Sequence, residues 1–348
     1  MAGVQVFKLR FYMAGSNWPS NPFQYRGKGT IEIGGDAVVL RGSRHQSFRM
    51  PRREEQRLRM VDIVNVYASG SDVMFTVLGV KQDLRVGFSV ADAATADRIV
   101  ALLPARQTAA FAEAHAEQEV FHDRIDYWTP STPVIWGLLV ANIGIFALMW
   151  LARQRYQTFL EGPLRQLFAL NPDASALLQA QQLVEWGSNY GRLTLKGEWW
   201  RLFTSMFLHG SIWHIGFNML ALWQVGQVTE RIFGSARFAA LYVLAGLSGS
   251  LASVLWNPHV NSVGASGAIF GIIGGLLAFL GRKDSGVPPT VVQDLRSSMI
   301  PFLLFSLWMG FIYPHTDNAA HIGGLVGGWL AGHLLARSIH LPEPGRQG

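Results

Sequence analysis

The sequence contains no cysteine, and this absence excludes several kinds of site at once. Without a thiol the chain cannot form a disulfide, bind a metal through thiolates or use a cysteine nucleophile. Charge is also scarce, because only 15% of the 348 residues are charged, whereas a soluble domain carries about 25%. Part of the chain is therefore expected to avoid water.

The shortage of charge is uneven along the chain. Residues 1–125 are rich in Arg, Asp and Glu, while residues 130–340 contain long uncharged stretches. This change predicts one domain over residues 1–125 and a second over residues 126–340.

The first residues lack the apolar core of a secretory signal peptide, so we expect residue 1 to stay in the cytoplasm. The net charge of +6 fits a basic cytoplasmic face, and no nucleic-acid partner is expected because no matching motif is present.

The first domain is predicted to be β-rich. Short runs of β-branched and aromatic residues alternate with turn residues, and a helix over Ala91–Leu103 ends at Pro104. We expect six or seven antiparallel strands closed by this helix, a pattern that resembles the pleckstrin-homology fold. The runs are Gly29–Gly34, Ala37–Arg41, Asp62–Tyr67, Val73–Val77 and Asp83–Phe88.

A basic cluster stands out in this domain, over Arg41–Arg59. One interpretation is a contact with anionic lipid, since each Lys or Arg near an anionic leaflet contributes about 1 kcal/mol. The simpler interpretation, which we favour, is a solvated loop between strands. The cluster consists of seven arginines at positions 41, 44, 49, 52, 53, 57 and 59, against Glu54 and Glu55.

The second domain is predicted to be all-α and to cross the membrane six times. The first apolar segment has no charge and is long enough for a bilayer core. The fourth and fifth are short, as expected of helices that begin or end below the surface. The six predicted spans are 133–151, 202–225, 238–256, 266–280, 298–313 and 319–335.

The short loops indicate the orientation of these spans. Two loops, Asn257–Ala265 and Pro314–Asn318, have no Lys or Arg, whereas the loops on the other side do. The positive-inside rule therefore places both termini in the cytoplasm. The long connection after the first span argues against this topology, because it carries cations on the predicted outer side. These are Arg153, Arg155, Arg165, Arg192 and Lys196.

Polar residues converge at one depth in this topology, and polar groups inside membrane segments are functional candidates. Three inward-running spans place Ser266, His321 and the pair His214 and Asn218 in the outer part of the membrane. Spans four and six also carry glycines at four-residue intervals, which lets two membrane helices approach closely. The glycines are Gly267, Gly271 and Gly275 on span four, and Gly324, Gly328 and Gly332 on span six.

The chemistry that fits this set is acyl transfer by a serine. Ser266 is a weak nucleophile until a base such as His321 accepts its proton, and the ring of Phe270 is expected to pack on this imidazole. The oxyanion formed by attack on a peptide carbonyl needs fixed donors. His214, Asn218 and the backbone N–H of Ser266 can supply them. No inward-facing carboxylate accompanies the histidines, so neither a metal nor a cofactor is expected.

Residues 195–335 resemble the rhomboid protease family. Five elements occur in the family's order: Glu198–Arg201, His209 to Asn218, Gly226 to Gly234, Gly264–Gly267 and Ala320–Gly324. The resemblance implies a six-helix serine endopeptidase with a Ser266–His321 dyad, which cleaves single-span membrane proteins within the lipid bilayer. It also implies oxyanion or substrate roles at Gly264 and Ala265 and supporting roles at Gly267, Gly324 and His209. The family often has Tyr at the position of Phe270.

Two functions of different classes stay open. One is the protease, and the other is a rhomboid-like pseudoenzyme that binds membrane-protein clients without cutting them. Such relatives are expected to have lost the serine or the histidine, and this chain retains both.

Asp317 is expected to lie solvated in the outer loop and not to complete a triad. Trp199, Trp200 and Arg201 are expected to anchor the loop. The composition fits a multi-pass protein of a bacterial inner membrane.

Overall fold

A computed structural model describes residues 3–11, 22–44, 50–79, 82–159, 172–313 and 316–339. Its contacts divide the chain into two compact units, Met1–Glu117 and Gln118–Gly348. The boundary predicted at residue 125 falls inside one helix, Ala109–Trp128. The amino-acid composition becomes apolar only where this polar helix ends. The tertiary contacts, in contrast, already divide within the helix, after Glu117.

The first unit is built on one antiparallel sheet, which confirms the β-rich prediction. Seven strands lie in the order β4-β3-β2-β1-β7-β6-β5. The first strand of the chain, β1, therefore pairs with the last, β7. A helix, α1, follows the last strand and packs against β5 and β6. The elements are β1 (Gln5–Phe11), β2 (Tyr25–Gly34), β3 (Ala37–Arg44), β4 (Arg52–Arg59), β5 (Ile63–Ser69), β6 (Asp72–Val77), β7 (Leu84–Ser89) and α1 (Ala93–Leu102).

Alternation of side chains explains how the sheet forms its core. In β1 the residues Phe7, Leu9 and Phe11 are buried while their neighbours are exposed, as a period of two requires when one face is covered. The helix α1 begins at the N-cap Asp92, whose carboxylate accepts a hydrogen bond of 2.7 Å from the backbone N–H of Thr95. Its buried residues complete the core.

In the described residues, most of the basic cluster over Arg41–Arg59 lies in strands, so the interpretation as a loop was wrong there. Residues 52–59 form β4, which pairs with β3 along its whole length. The run was missed because its charged residues do not alternate with apolar ones, and only Leu58 is buried. Several arginines form ion pairs: Arg41 with Glu32 and Glu55, Arg44 with Glu54, Arg57 with Asp36, and Arg59 with Asp62. Arg49 lies outside the described residues.

The second unit is helical, as predicted. Between its first long helices and α7, the described part of the connection holds one further helix, two four-residue helical turns, a 3-10 turn over Ser205–Phe207 and the two-residue strand β8, which pairs with β9. The elements are α2 (Ala109–Trp128), α3 (Pro133–Phe159), α4 (Pro172–Glu185), β8 (Asn189–Tyr190), α5 (Gly191–Thr194), α6 (Arg201–Thr204), α7 (Ile212–Phe233), α8 (Ser235–Trp256), β9 (Asn261–Ser262), α9 (Ser266–Leu280), α10 (Pro289–Ile312) and α11 (Asn318–Leu335).

The helix bounds differ from the predicted spans, most of all for the second span. Residues 202–211 are not part of α7, which begins at Ile212 because Ser211 caps it by accepting from the N–H of His214 at 3.2 Å. It ends at Gly234, whose φ of 76° leaves the helical region. The predicted span joined residues 202–211 to α7 because both segments are apolar. The fifth predicted span, 298–313, is also too short, since α10 has 24 residues and starts at Pro289.

Four helices in the described parts of the chain are long and apolar enough to cross a membrane. They are α3, α8, α10 and α11, judged by length and composition alone. The helix α9 is apolar but has only 15 residues. Nearly all of its side chains are buried, so it lies at the centre of the bundle against α8 and α11.

The helices α9 and α11 pack backbone to backbone through their glycines. A Cβ atom added to Gly324 would meet the carbonyl of Gly267, and one added to Gly328 would meet the backbone of Gly271. The third pair, Gly332 with Gly275, repeats this contact. Side chains cannot fit at these positions, and the small residues therefore set the distance between the two helices.

A buried carboxylate joins the start of α3 to the end of α7. Glu230 is fully buried and accepts hydrogen bonds from the backbone N–H of Val134 and Ile135 at 3.0 and 2.8 Å. It also accepts from the hydroxyl of Ser235 at 2.7 Å. The negative charge lies at a helix N-terminus, where the helix dipole stabilises it.

We expect Gly328→Ala to destabilise the helical unit by about 1–3 kcal/mol, the usual cost of overpacking a close contact. The matched control is Gly144→Ala on α3, where an added Cβ meets nothing within 4 Å. Thermal unfolding of the two variants in detergent measures the difference. Equal stability of both would show that the α9–α11 contact can relax and does not set the helix distance.

Candidate active site

Ser266 is the first residue of α9, and the preceding loop fixes its position. The backbone N–H of Gly264 donates to the carbonyl of Ser205 at 2.9 Å. Earlier in the loop, β9 pairs with β8 of the connection. Gly264 adopts a φ of +121°, a backbone conformation that side-chain-bearing residues rarely adopt. The loop therefore turns sharply into the helix just before Ser266.

His321 lies in the first turn of α11, and Asp317 caps this helix. One oxygen of Asp317 accepts from the backbone N–H of Ala320 at 3.0 Å. The other accepts a hydrogen bond of 2.5 Å from the hydroxyl of Ser253 on α8. The carboxylate thus fixes the start of α11 against α8, and with it the position of the His321 backbone.

The two predicted reactive groups lie within hydrogen-bond distance. The hydroxyl oxygen of Ser266 is 2.9 Å from Nε2 of His321, although the two residues are 55 positions apart in the chain. The ring of Phe270 stacks on the imidazole, with centroids 4.4 Å apart and an angle of 3° between the planes. Phe270 therefore holds the ring in the orientation that directs Nε2 towards Ser266.

The other nitrogen of His321 does not contact a carboxylate. Nδ1 is buried, and it has no hydrogen-bond partner among the residues that the structure describes. Asp317 is the nearest acidic candidate by sequence, but both of its oxygens are used by Ala320 and Ser253. The expectation that Asp317 is solvated was wrong, because it is half-buried and caps the helix. Within the described chain, Ser266 and His321 therefore form a pair without an acidic third member.

His214 and Asn218 flank the loop before the serine. A Cβ atom at Gly264 would lie 2.7 Å from Nε2 of His214 and 3.5 Å from Nδ2 of Asn218. Asn218 is buried, and its Nδ2 has no hydrogen-bond partner among the described residues. Two side chains that can donate hydrogen bonds therefore adjoin the backbone two residues before Ser266. Gly264 is the residue that leaves room for them.

The remaining predicted residues support this arrangement by packing. Ala265 is fully buried and forms the N-cap position of α9. Gly267 and Gly324 form the first of the backbone contacts between α9 and α11. His209 is buried, with its ring centroid 5.0 Å from that of His214. Among the described residues, no group of three or more His, Asp or Glu side chains could hold a metal ion.

The structure adds residues that the sequence did not single out. Ser253 and Ser205 hold the start of α11 and the loop before α9, but an isolated serine in an apolar helix carries no pattern. Arg201 was expected only as an interface anchor, and it is instead 6% exposed. It bonds Glu198 at 2.7 Å and the carbonyls of Val184 and Ser188 at 2.7 and 3.1 Å. It therefore fixes the connection before α7.

These features define a class of protein, namely a bundle of apolar helices with a serine and a histidine paired at two helix starts. Comparison with known proteins identifies the family. The family model described as the Rhomboid domain matches residues 196–338. The putative rhomboid protease YdcA of Bacillus subtilis is 34% identical over 167 residues, which cover 46% of this chain and 80% of YdcA. The chain therefore belongs to the rhomboid family, and the prediction made from its motifs is confirmed.

Two further relatives share a smaller part of their length. Rhomboid protease GluP of Bacillus subtilis is 42% identical over 170 residues, which cover 48% of this chain and 31% of GluP. RHOMBOID-like protein 1 of Arabidopsis thaliana is 33% identical over 215 residues, which cover 57% of this chain and 52% of that protein. The chain thus spans about half or less of the length of these two relatives. Family membership and the apolar helices make it an integral membrane protein.

We expect Asp317→Ala to lower the stability of the helical unit by about 1 kcal/mol, the usual cost of losing a helix N-cap. Asp317→Asn is the matched control, because asparagine caps a helix as well as aspartate does while it removes the charge. Thermal unfolding and the rate of labelling of Ser266 by a fluorophosphonate measure the two effects. A loss of labelling by orders of magnitude in Asp317→Asn would instead make the carboxylate a member of the reactive group.

Proposed function

We propose that this protein is an intramembrane serine endopeptidase that cleaves the membrane segments of single-span proteins. The observation that carries the proposal is the 2.9 Å distance between Ser266 Oγ and His321 Nε2 at the starts of two apolar helices. A serine needs such a base to become a nucleophile. The names of two relatives, rhomboid protease GluP and putative rhomboid protease YdcA, support the same activity.

The proposed reaction starts when Nε2 of His321 accepts the hydroxyl proton of Ser266. The oxygen of Ser266 attacks the peptide carbonyl, and the carbonyl oxygen becomes an oxyanion. When this intermediate collapses, the C–N bond breaks and the imidazolium gives its proton to the leaving amine. A water molecule, deprotonated by the same imidazole, then hydrolyses the acyl-enzyme and restores the serine. Proton transfer by a positioned base contributes about 10²–10⁴-fold to such reactions.

The oxyanion is proposed to bind the side chains of His214 and Asn218 and the backbone N–H of Ser266. The unpartnered Nδ2 of Asn218 supports this assignment, because a buried donor without a partner is costly unless a ligand uses it. The N–H of Ser266 belongs to the first turn of α9, where backbone donors are free of intrahelical bonds. Loss of one such donor costs about 3–4 kcal/mol of transition-state stabilisation in other serine hydrolases.

The topology that suits this reaction has six spans with both termini in the cytoplasm. The helices α7 and α9 are the two spans that complete the four recognised by length and composition. In this orientation Ser266 and His321 lie in the outer part of the membrane, and a bacterial inner membrane is the proposed location. Cations in the last turn of α7 and in the loop after α9, namely Arg231 and Arg282, support it through the positive-inside rule.

The pseudoenzyme alternative is less well supported. A client-binding protein has no need of a serine hydroxyl aligned with a stacked imidazole, and both are present here.

For the first unit, a pleckstrin-homology-like fold is proposed from its seven antiparallel strands and following helix. The anionic-lipid contact over Arg41–Arg59 stays a prediction, and the ion pairs leave Arg52 and Arg53 as the described arginines of that cluster without one.

We expect a fluorophosphonate probe to label the detergent-solubilised protein and Ser266→Ala to abolish the labelling. The reason is that only a serine activated by a base attacks such a probe at an appreciable rate. Ser262→Ala, in the loop just before the site, is the matched control and should be labelled like wild type. Folded wild-type protein that takes up no probe would favour the pseudoenzyme.

We expect His321→Ala to reduce cleavage of a model single-span substrate in liposomes by about 10²–10⁴-fold, the contribution of a general base. His333→Ala is the control, since His333 lies exposed near the other end of α11 and stacks on Trp329. Gel quantification of the cleaved product gives the rates. Turnover by His321→Ala at the wild-type rate would refute the dyad.

A further inference from the structure

One face of the first unit's sheet carries cations from three strands. In β1, Lys8 and Arg10 point away from the buried Phe7, Leu9 and Phe11. The register then extends the face, because residues paired across strands lie on the same side of a sheet. Lys28 pairs with Arg10, Arg26 pairs with Ser43, and Ser43 pairs with Arg53. We call Lys8, Arg10, Arg26, Lys28 and Arg53 the basic face, and all five are exposed.

The carboxylates near the basic face are engaged elsewhere. Glu32 and Glu55 lie on the same side of the sheet, and both bond Arg41. Asp72 lies two strands from Arg10, across Ser89, and accepts a hydrogen bond from the Ser89 hydroxyl. Among the described residues, none of the five cations of the basic face has an ion-pair partner. The face therefore gathers five positive charges on β1, β2 and β4, and no ion pair among the described residues neutralises them.

Such an arrangement costs stability in the isolated unit. Strands lie about 5 Å apart, and like charges placed opposite each other across strands repel. Arg10 and Lys28 form such a pair. A surface of negative charge would remove this repulsion, and a flat array of cations matches an extended anionic plane better than it matches one small anion.

We propose that the basic face docks on the anionic lipid headgroups of the bilayer that the helical unit spans. The chain itself supplies the argument for this partner, because its apolar helices (α3, α8, α10 and α11) keep the sheet tethered to a membrane at all times. The proposal moves the lipid contact from the Arg41–Arg59 cluster, which is largely ion-paired, to β1, β2 and the start of β4. It does not depend on the activity of Ser266.

The absence of cysteine allows a direct test on the full chain. Val6→Cys places one thiol on the same side of β1 as Lys8, at an exposed position. Ala94→Cys places a control thiol on an exposed position of α1, which packs on the core side of the sheet. Each protein is labelled with a fluorophore and reconstituted in nanodiscs that contain a headgroup quencher. The discs are made of phosphatidylcholine alone or mixed with phosphatidylglycerol.

We expect stronger quenching at Val6→Cys in the anionic discs than in the neutral discs, weakened by salt, with little change at Ala94→Cys. Lys28→Gln should lower the ratio of docked to undocked protein about fivefold, which corresponds to the roughly 1 kcal/mol of one cation at an anionic surface. Arg52→Gln is the matched control and should leave the ratio unchanged, because Arg52 is an exposed cation of β4 that lies on the same side as the buried Leu58, away from the basic face. Both residues are exposed, so the fold is retained.

Five outcomes would overturn the proposal. Equal quenching at Val6→Cys in both kinds of disc would remove the anionic contact. Equal quenching at the two label positions, or equal effects of Lys28→Gln and Arg52→Gln, would show only general proximity to the membrane. Displacement by inorganic phosphate at matched ionic strength would assign the face to a free anion. Displacement by an RNA or DNA duplex at concentrations that leave the discs intact would assign it to a nucleic acid.

Discussion

The close approach of α9 and α11 is the constraint on which the rest of the helical unit depends. At three successive turns a glycine of one helix meets the backbone of the other, and a Cβ at Gly324, Gly328 or Gly332 would enter occupied space. Two helices with ordinary side chains pack about 8–10 Å apart, a distance that keeps short side chains at their ends from meeting. Here Ser266 and His321 stand just before the first of these contacts, and so a short serine side chain reaches Nε2 at 2.9 Å.

Close packing sets the distance between the helices, but it does not set the depth or the rotation of either one. Those are fixed at the helix starts, where polar groups would otherwise lack partners. On α11 the Asp317 carboxylate bonds both its own helix and Ser253 of α8. On α9 the N–H of Gly264 bonds Ser205, and Phe270 one turn later holds the imidazole by stacking. Each contact is polar or aromatic and short, and all of them surround the same two reactive atoms.

The family was predictable from the sequence, and the residues of the candidate site could be named from it, because both depend on local spacing. Glycines at intervals of four and a histidine three residues before such a row are visible in one chain, and so is a serine at a helix start. The start of α7 was not predictable from hydropathy, since residues 202–211 are as apolar as the helix that follows them. Its true signal is Ser211, an N-cap residue. The roles of Ser253 and Asp317 required the fold, because the hydrogen bond between them joins residues 64 positions apart.

The sheet shows why a cluster of charge along the chain differs from a cluster in space. The arginines of residues 41–59 lie close together in sequence, yet pairing of β3 with β4 sets glutamates beside them and neutralises much of their charge. Lys8, Arg10, Arg26, Lys28 and Arg53 are scattered in sequence, and only Arg53 belongs to the cluster over residues 41–59. Only the register brings them onto one side of the sheet, because a shift by one residue would turn each cation to the buried face. The unneutralised charge on this side of the sheet is therefore a property of strand pairing, which sequence composition alone does not reveal.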